Sequence, residues 1–207
     1  MELNGPVGIV YNFCNGFVRL AYLNLLWVLF TIIGLGIFGI MPATVAMFTV
    51  SRKWVIGERG VPIFKTFIKS YKEEFIRANV LGLLLFCFGY LMYQSFQLLA
   101  LFEGVIFQFF SFIYLGILLV FKITLLYIFP VITHFDIKIV NVLKNAFLIG
   151  ITHPIHSLMM IVGSILTIAV LWVIGLVPVF IGSLLSFVIM WLANKSFLRL
   201  DCRENVG

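Results

Sequence analysis

Charge is scarce in this 207-residue chain: only 11% of its residues are Asp, Glu, Lys or Arg, where a soluble domain carries roughly 25%. That excludes an ordinary water-soluble globule. Cysteine is nearly absent too. Cys14, Cys87 and Cys202 are odd in number, far apart and without CxxC spacing, so neither a disulfide framework nor a zinc knuckle is expected. Cys87 falls mid-span and reads as a small core residue. The opening MELNGPVG carries an acid where a secretory leader carries basic residues, so no cleavable signal peptide is expected. Short alternating strands are missing, which excludes a transmembrane barrel. A nucleophile–base pair, a carboxylate dyad and a Gly-rich phosphate loop are missing as well. The expectation is therefore a protein that is not an enzyme and needs no cofactor.

What the sequence has is apolar length. Hydrophobic residues make up 63% of it and the mean hydropathy is +1.17. The continuous apolar runs approach the twenty residues that a helix needs to cross hydrocarbon. The expected fold class is all-α: a single polytopic membrane domain over residues 1–207, with spans at about 20–40, 79–102, 105–129, 155–174 and 177–193. Residues 155–194 as one helix would be about 60 Å long, twice the hydrocarbon thickness, so two crossings are expected there. Residues 6–19 read as an interfacial segment or as outer turns of an extended first helix. Pro42 is expected to break the first span.

The formal charge of +6 is concentrated. Arg52, Lys53, Arg59, Lys65, Lys69, Lys72 and Arg77 follow the first span and supply seven of the fourteen basic residues. Positive-inside bias explains this more simply than nucleic-acid binding, so no nucleic-acid partner is expected. Twelve of the fourteen then fall inside, leaving Arg19 and Lys122. The expected topology has the N-terminus outside and the C-terminus cytoplasmic in the plasma membrane, with 51–78 as a cytoplasmic basic segment.

Within that segment Phe64, Phe67, Ile68, Tyr71 and Phe75 recur at helical spacing on one arc, with Lys65, Lys69, Lys72, Glu73 and Arg77 opposite. Lys69–Glu73 and Glu73–Arg77 are the expected ion pairs. Such a helix lies on headgroups or packs its arc on neighbouring spans or a partner. Arg52, Lys53, Lys65, Lys69, Lys72 and Arg77 are its candidate docking or headgroup contacts, the bilayer being the first partner. The same spacing returns at Ile139, Val142, Leu143, Ala146 and Gly150, aligning Lys69 with Lys144. This suggests a repeat of span, proline, amphipathic helix and returning span; a juxtamembrane helix resting on lipid would show the same period.

Four sets of polar residues are candidates for function. Lys122 is the one ionisable residue well inside a span, and either marks a polar path or snorkels to the interface. Asn24 shares a face with Trp27 and suits a hydrogen bond between helices. Gln94 and Gln97 share a face of the second span and either line a cavity or bridge helices. His134, Asp136, His153 and His156 could offer imidazoles and a carboxylate to a metal, but no HExxH or Cys pair accompanies them.

Leu23-Asn24-Leu25-Leu26-Trp27, Pro42-Ala43-Thr44-Val45-Ala46 and Phe64-Lys65-Thr66-Phe67 leading to Phe75 resemble, in order and spacing, the YesL-like family of bacterial integral membrane proteins. The resemblance implies a membrane protein of uncharacterised biochemical function with an accessory role in carbohydrate uptake, its partners being subunits of an ABC-type sugar importer. It supplies no catalytic or ligand residues. Accessory subunit is the leading reading, a small transporter past Lys122 the alternative, and a membrane enzyme with a metal at the histidines the third.

Overall fold

The computed structural model describes residues 6–58, 60–101, 104–135 and 137–204. Among these the chain forms eight helices and no strand: α1 (Pro6–Ile33), α2 (Ile37–Val55), α3 (Ile63–Glu73), α4 (Phe75–Ala100), α5 (Val105–His134), α6 (Ile139–Thr152), α7 (Pro154–Ile174) and α8 (Val177–Glu204). Five stretches are long and apolar enough to cross a membrane: Cys14–Ile33, Phe75–Leu99, Phe107–His134, Pro154–Ile174 and Val177–Phe197. The chain is a multi-pass helical membrane protein.

The first span is not 20–40. The segment from 6 to 19 belongs to the first helix, and the break falls at 34–36 rather than at Pro42, which sits inside α2. Glycine decides this. Leu35 and Gly36 have φ of 60° and 72°, and a Cβ on Gly34 would lie 2.4 Å from the Gly39 Cα. Only a residue without a side chain permits that approach. The chain therefore reverses, and α2 returns along α1. Trp27 Nε1 donates to Thr44 Oγ1 at 3.0 Å, and a Cβ on Gly39 would meet the Thr31 carbonyl at 2.4 Å.

Two more antiparallel hairpins follow. Phe88 meets Phe121 and Phe96 meets Tyr114 across α4 and α5, at centroid distances of 5.0 and 5.9 Å. Gly163 on α7 packs against Val188 and Leu192 of α8. α5 continues through Pro130 to His134, beyond the expected end at 129.

α2 is the centre of the bundle. Ala43, Val45, Ala46, Val50 and Ser51 are at most 1% exposed, and the helix touches α1, α3, α4, α5 and α8. It meets α8 through small groups, Ser51 Oγ lying 2.8 Å from Ser186 Oγ and Met47 beside Gly182. Small residues let helices approach closely where lipid supplies no hydrophobic drive.

α3 packs on the bundle. Phe67 is fully buried and Tyr71 8% exposed; both rings pack on Phe30 of α1, Phe67 tilted and Tyr71 edge-on. Tyr71 also donates its hydroxyl to the Phe30 carbonyl at 3.2 Å. At about 1.5–3 kcal/mol per buried large side chain, these two anchor the helix firmly. α6 does the same against α5, with Val142 and Ala146 fully buried. Phe67 and Val142, and Tyr71 and Ala146, are the positions that the repeat aligns, and Lys69 and Lys144 are both exposed. Cys87 is exposed on α4, not in the core.

Candidate functional site

The polar-path candidates do not meet. Asn24, 2% exposed, reaches from α1 into the first turns of α8. Its Nδ2 donates to the Pro178 carbonyl at 3.0 Å, while Oδ1 accepts from the Gly182 and Ser183 amides at 3.1 and 3.3 Å. The side-chain amide thus lies against the backbone hydrogen-bond ladder of α8 and ties both ends of the sequence together. Gln94 and Gln97 are exposed on α4, donating to the Tyr90 and Tyr93 hydroxyls one turn earlier at 3.1 and 2.7 Å. Amide and tyrosine pairs on an outer face suit the membrane interface, where aromatic belts form. Lys122 is exposed on α5. No hydrogen bond or ion pair links any of these four among the described residues.

The histidines are divided as well. His134 packs its ring on Phe135 and Phe197, each at 4.7 Å, whereas His153 and His156 face each other 5.8 Å apart across Pro154. Asp136 lies outside the described residues. Among those described, no three His, Cys, Asp or Glu side chains come together around a metal position.

What the fold does assemble is a polar cavity of about 360 Å³ where α2, α3, the start of α4 and the end of α5 meet. Thr49 and Arg52 come from α2, Lys69, Ser70 and Glu73 from α3, Arg77 from α4 and Thr133 from α5. The pieces are held in place. Thr49 Oγ1 donates to the Val45 carbonyl at 3.0 Å and lies 2.9 Å from Ser70 Oγ, which fixes α3 against α2. The chain kinks at Glu74 between α3 and α4, and its carboxylate takes Arg77 Nη1 at 3.1 Å. Arg77 Nη2 donates to the Ile137 carbonyl, closing the cavity toward α6. The expected Glu73–Arg77 pair is therefore replaced by Glu74–Arg77, because the kink turns Glu73 outward. The Lys69–Glu73 pair forms loosely, at 3.9 Å between exposed side chains.

Of the four cations lining the cavity, Lys53 pairs with Glu58, Lys69 with Glu73 and Arg77 with Glu74. Arg52 has no carboxylate partner among the described residues, and its Nε is buried without a hydrogen bond. Leaving a buried donor unmet costs about 1–3 kcal/mol. Arg52 was legible in the sequence as one basic residue among many. Thr49, Ser70 and Thr133 were not, since three helices bring them together and no spacing in one helix signals it.

A second cavity, about 730 Å³, lies among α4, α5 and α6 and is lined by Phe88, Ile117, Phe121, Phe147 and other apolar side chains, with Thr124 the polar exception. It faces outward among exposed apolar residues, a surface that lipid chains cover.

The comparisons fall on this geometry. Residues 20–96 match the family described as "Protein of unknown function, DUF624". Three proteins of Bacillus subtilis strain 168 are similar. The chain is 38% identical to uncharacterized protein YesL over 154 residues, covering 74% of this chain and 72% of YesL. It is 38% identical to uncharacterized protein YteU over 185 residues, covering 86% and 78%. Identity to uncharacterized protein YesV is 32% over 183 residues, 82% of each chain. No solved structure matches. The motifs that carry the likeness are structural here: Leu23 and Asn24 seat α1 on α2 and α8, Trp27 holds Thr44, and Phe67 anchors α3. With that identity sustained along most of both sequences, the chain belongs to the YesL-like DUF624 family.

Proposed function

We propose that this protein is a non-catalytic, multi-pass accessory subunit of the cell membrane that docks through the basic face of α3 on a subunit of a carbohydrate importer. One observation carries the reading: α3 is clamped to α1 and α2 by Phe67 and Tyr71, while Lys65, Lys69 and Lys72 remain exposed on its other side. A helix floating on headgroups would turn its charges toward lipid phosphate. A helix locked to the bundle presents them at a fixed orientation, which suits an acidic protein surface. The sugar-uptake setting comes from the family resemblance alone.

The basic side is taken as cytoplasmic, because Arg52, Lys53 and the cations of α3 cluster next to the spans. We take α2 as a return pass beside the five crossings. It runs back along α1 and is sheathed by other helices, but is not among the five stretches apolar enough to cross by themselves. In the proposed topology the start of α1 therefore lies on the same side as Glu58 and the end of α8, not outside.

Two measurements test this. Affinity purification from native membranes in mild detergent should recover importer subunits with the wild-type protein. Replacing Lys65, Lys69 and Lys72 together by Gln should lose them while the protein stays inserted. Unchanged recovery would remove the basic face as the docking surface. In a cysteine-free background, impermeant labelling from outside should reach a thiol at Val105 but not one at Glu58 or in a tag ahead of Pro6; external labelling of the tag would restore the five-pass topology.

A further inference from the structure

The polar cavity at the α2–α3–α5 junction has features that docking does not use. It contains one guanidinium, Arg52, whose donors are unspent among the described residues, and its other cations are already paired. Two of the hydroxyls around it are occupied: Thr49 donates to Val45, and Thr133 donates to the Phe129 and Pro130 carbonyls at 2.9 and 3.0 Å. Incoming chemistry therefore meets a cationic fork flanked by paired cations and bonded hydroxyls. Four cations line the space and three of them are offset by Glu58, Glu73 and Glu74, which leaves one positive charge (4 − 3), that of Arg52.

We propose that this cavity binds a phosphate ester, with Arg52 as its principal ligand. The planar fork of arginine matches two oxygens of a tetrahedral phosphate. A phosphate monoester carries about −1.5 to −2 charges at neutral pH, and the uncompensated charge of Arg52 offsets the greater part of it, with the paired Lys53, Lys69 and Arg77 nearby. The 360 Å³ volume lies at the small end of the roughly 300–1,000 Å³ range of ligand pockets. It accommodates a phosphate with a short polar stem. Two sources share that chemistry: a soluble phosphorylated small molecule, or the headgroup of an anionic phospholipid reaching the basic end of the bundle. The site is tested apart from the docking role of α3, because its principal ligand Arg52 lies on α2; Lys69 borders both the cavity and the exposed lysine face and is paired with Glu73.

The test uses the full chain, delipidated and purified in a neutral detergent. Equilibrium dialysis with radiolabelled glycerol 3-phosphate should show saturable one-site binding. Acetate or chloride at equal ionic strength should not compete. Arg52→Gln should weaken binding at least tenfold; Arg52→Lys, which keeps the charge and the packing of the stem, should weaken it less. In parallel, native mass spectrometry of protein from phosphatidylglycerol-containing nanodiscs should distinguish the sources. Phosphatidylglycerol retained by wild type and lost from Arg52→Gln assigns the headgroup. Soluble binding without retained lipid assigns the metabolite. The proposal is overturned by wild-type protein that neither binds glycerol 3-phosphate nor retains phosphatidylglycerol. It is equally overturned by acetate competing as well as phosphate, or by Arg52→Gln binding as tightly as wild type.

Discussion

Asn24 and Gly182 make the fold's sharpest test. Replacing Asn24 by Ala removes three hydrogen bonds to α8 at 3.0, 3.1 and 3.3 Å. Interhelical polar contacts within membranes average about 0.6 kcal/mol and reach about 1.7 each, so the loss should be ~2–3 kcal/mol. Gly182→Ala acts on the same contact from the other side. The added Cβ would sit 2.9 Å from Asn24 Oδ1 and 3.4 Å from Met47 Sδ. The first is a clash with a short side chain pinned by its hydrogen bonds, and overpacking of this kind costs about 1–3 kcal/mol. In an Asn24→Ala background the oxygen is gone and only the ordinary contact with Met47 remains. There Gly182→Ala should be neutral or stabilising, since Gly costs a helix about 1 kcal/mol relative to Ala. The two changes should therefore couple by ~1–2 kcal/mol, measured by denaturant titration in mixed micelles across the four-member cycle. Additivity within about 0.5 kcal/mol, the value for independent sites, would refute the clamp.

The α1–α2 turn should be as intolerant: Gly34→Ala drives a Cβ into backbone at 2.4 Å and should abolish a monodisperse size-exclusion peak, whereas Gly16→Ala, with nothing within 4 Å, should leave it unchanged. Lys122 is exposed on α5, so Lys122→Met should leave expression and copurification intact and raise thermal stability slightly by removing a charge from a span; loss of function with an intact fold would make it part of a site. Burial pushes the Tyr71 phenol above its usual value of 10.0. A raised pKa favours the neutral form in the folded state, so this stabilisation is whole below pH 10 and declines as pH rises through the folded value. Tyr71→Phe should lower stability near neutrality by about 0.5–1.5 kcal/mol through the lost Phe30 bond. It should also flatten the decline above pH 10 in melting temperature against pH; an unchanged slope would show that Tyr71 does not titrate with unfolding.

Apolar run length determined the membrane class, the helical fold and four of the spans to within a few residues, because hydrocarbon thickness sets a length that composition alone reveals. Helical periodicity likewise identified α3 and α6, and the inward arc of Phe67 and Tyr71 was readable from spacing. Tertiary structure decided the rest. Pro42 looked like the stronger break, yet the chain turns at Gly34-Leu35-Gly36, since the reversal requires two backbones to touch and proline only forfeits one hydrogen bond. The kink at Glu74 moved the ion pair of Arg77 by one residue. Lys122 and Asn24 were both polar residues inside apolar runs, and only packing placed one on the outer surface and the other in the core. The cavity around Arg52 draws on α2, α3, α4 and α5, so its hydroxyls and its unpaired guanidinium come together only when distant segments fold against one another.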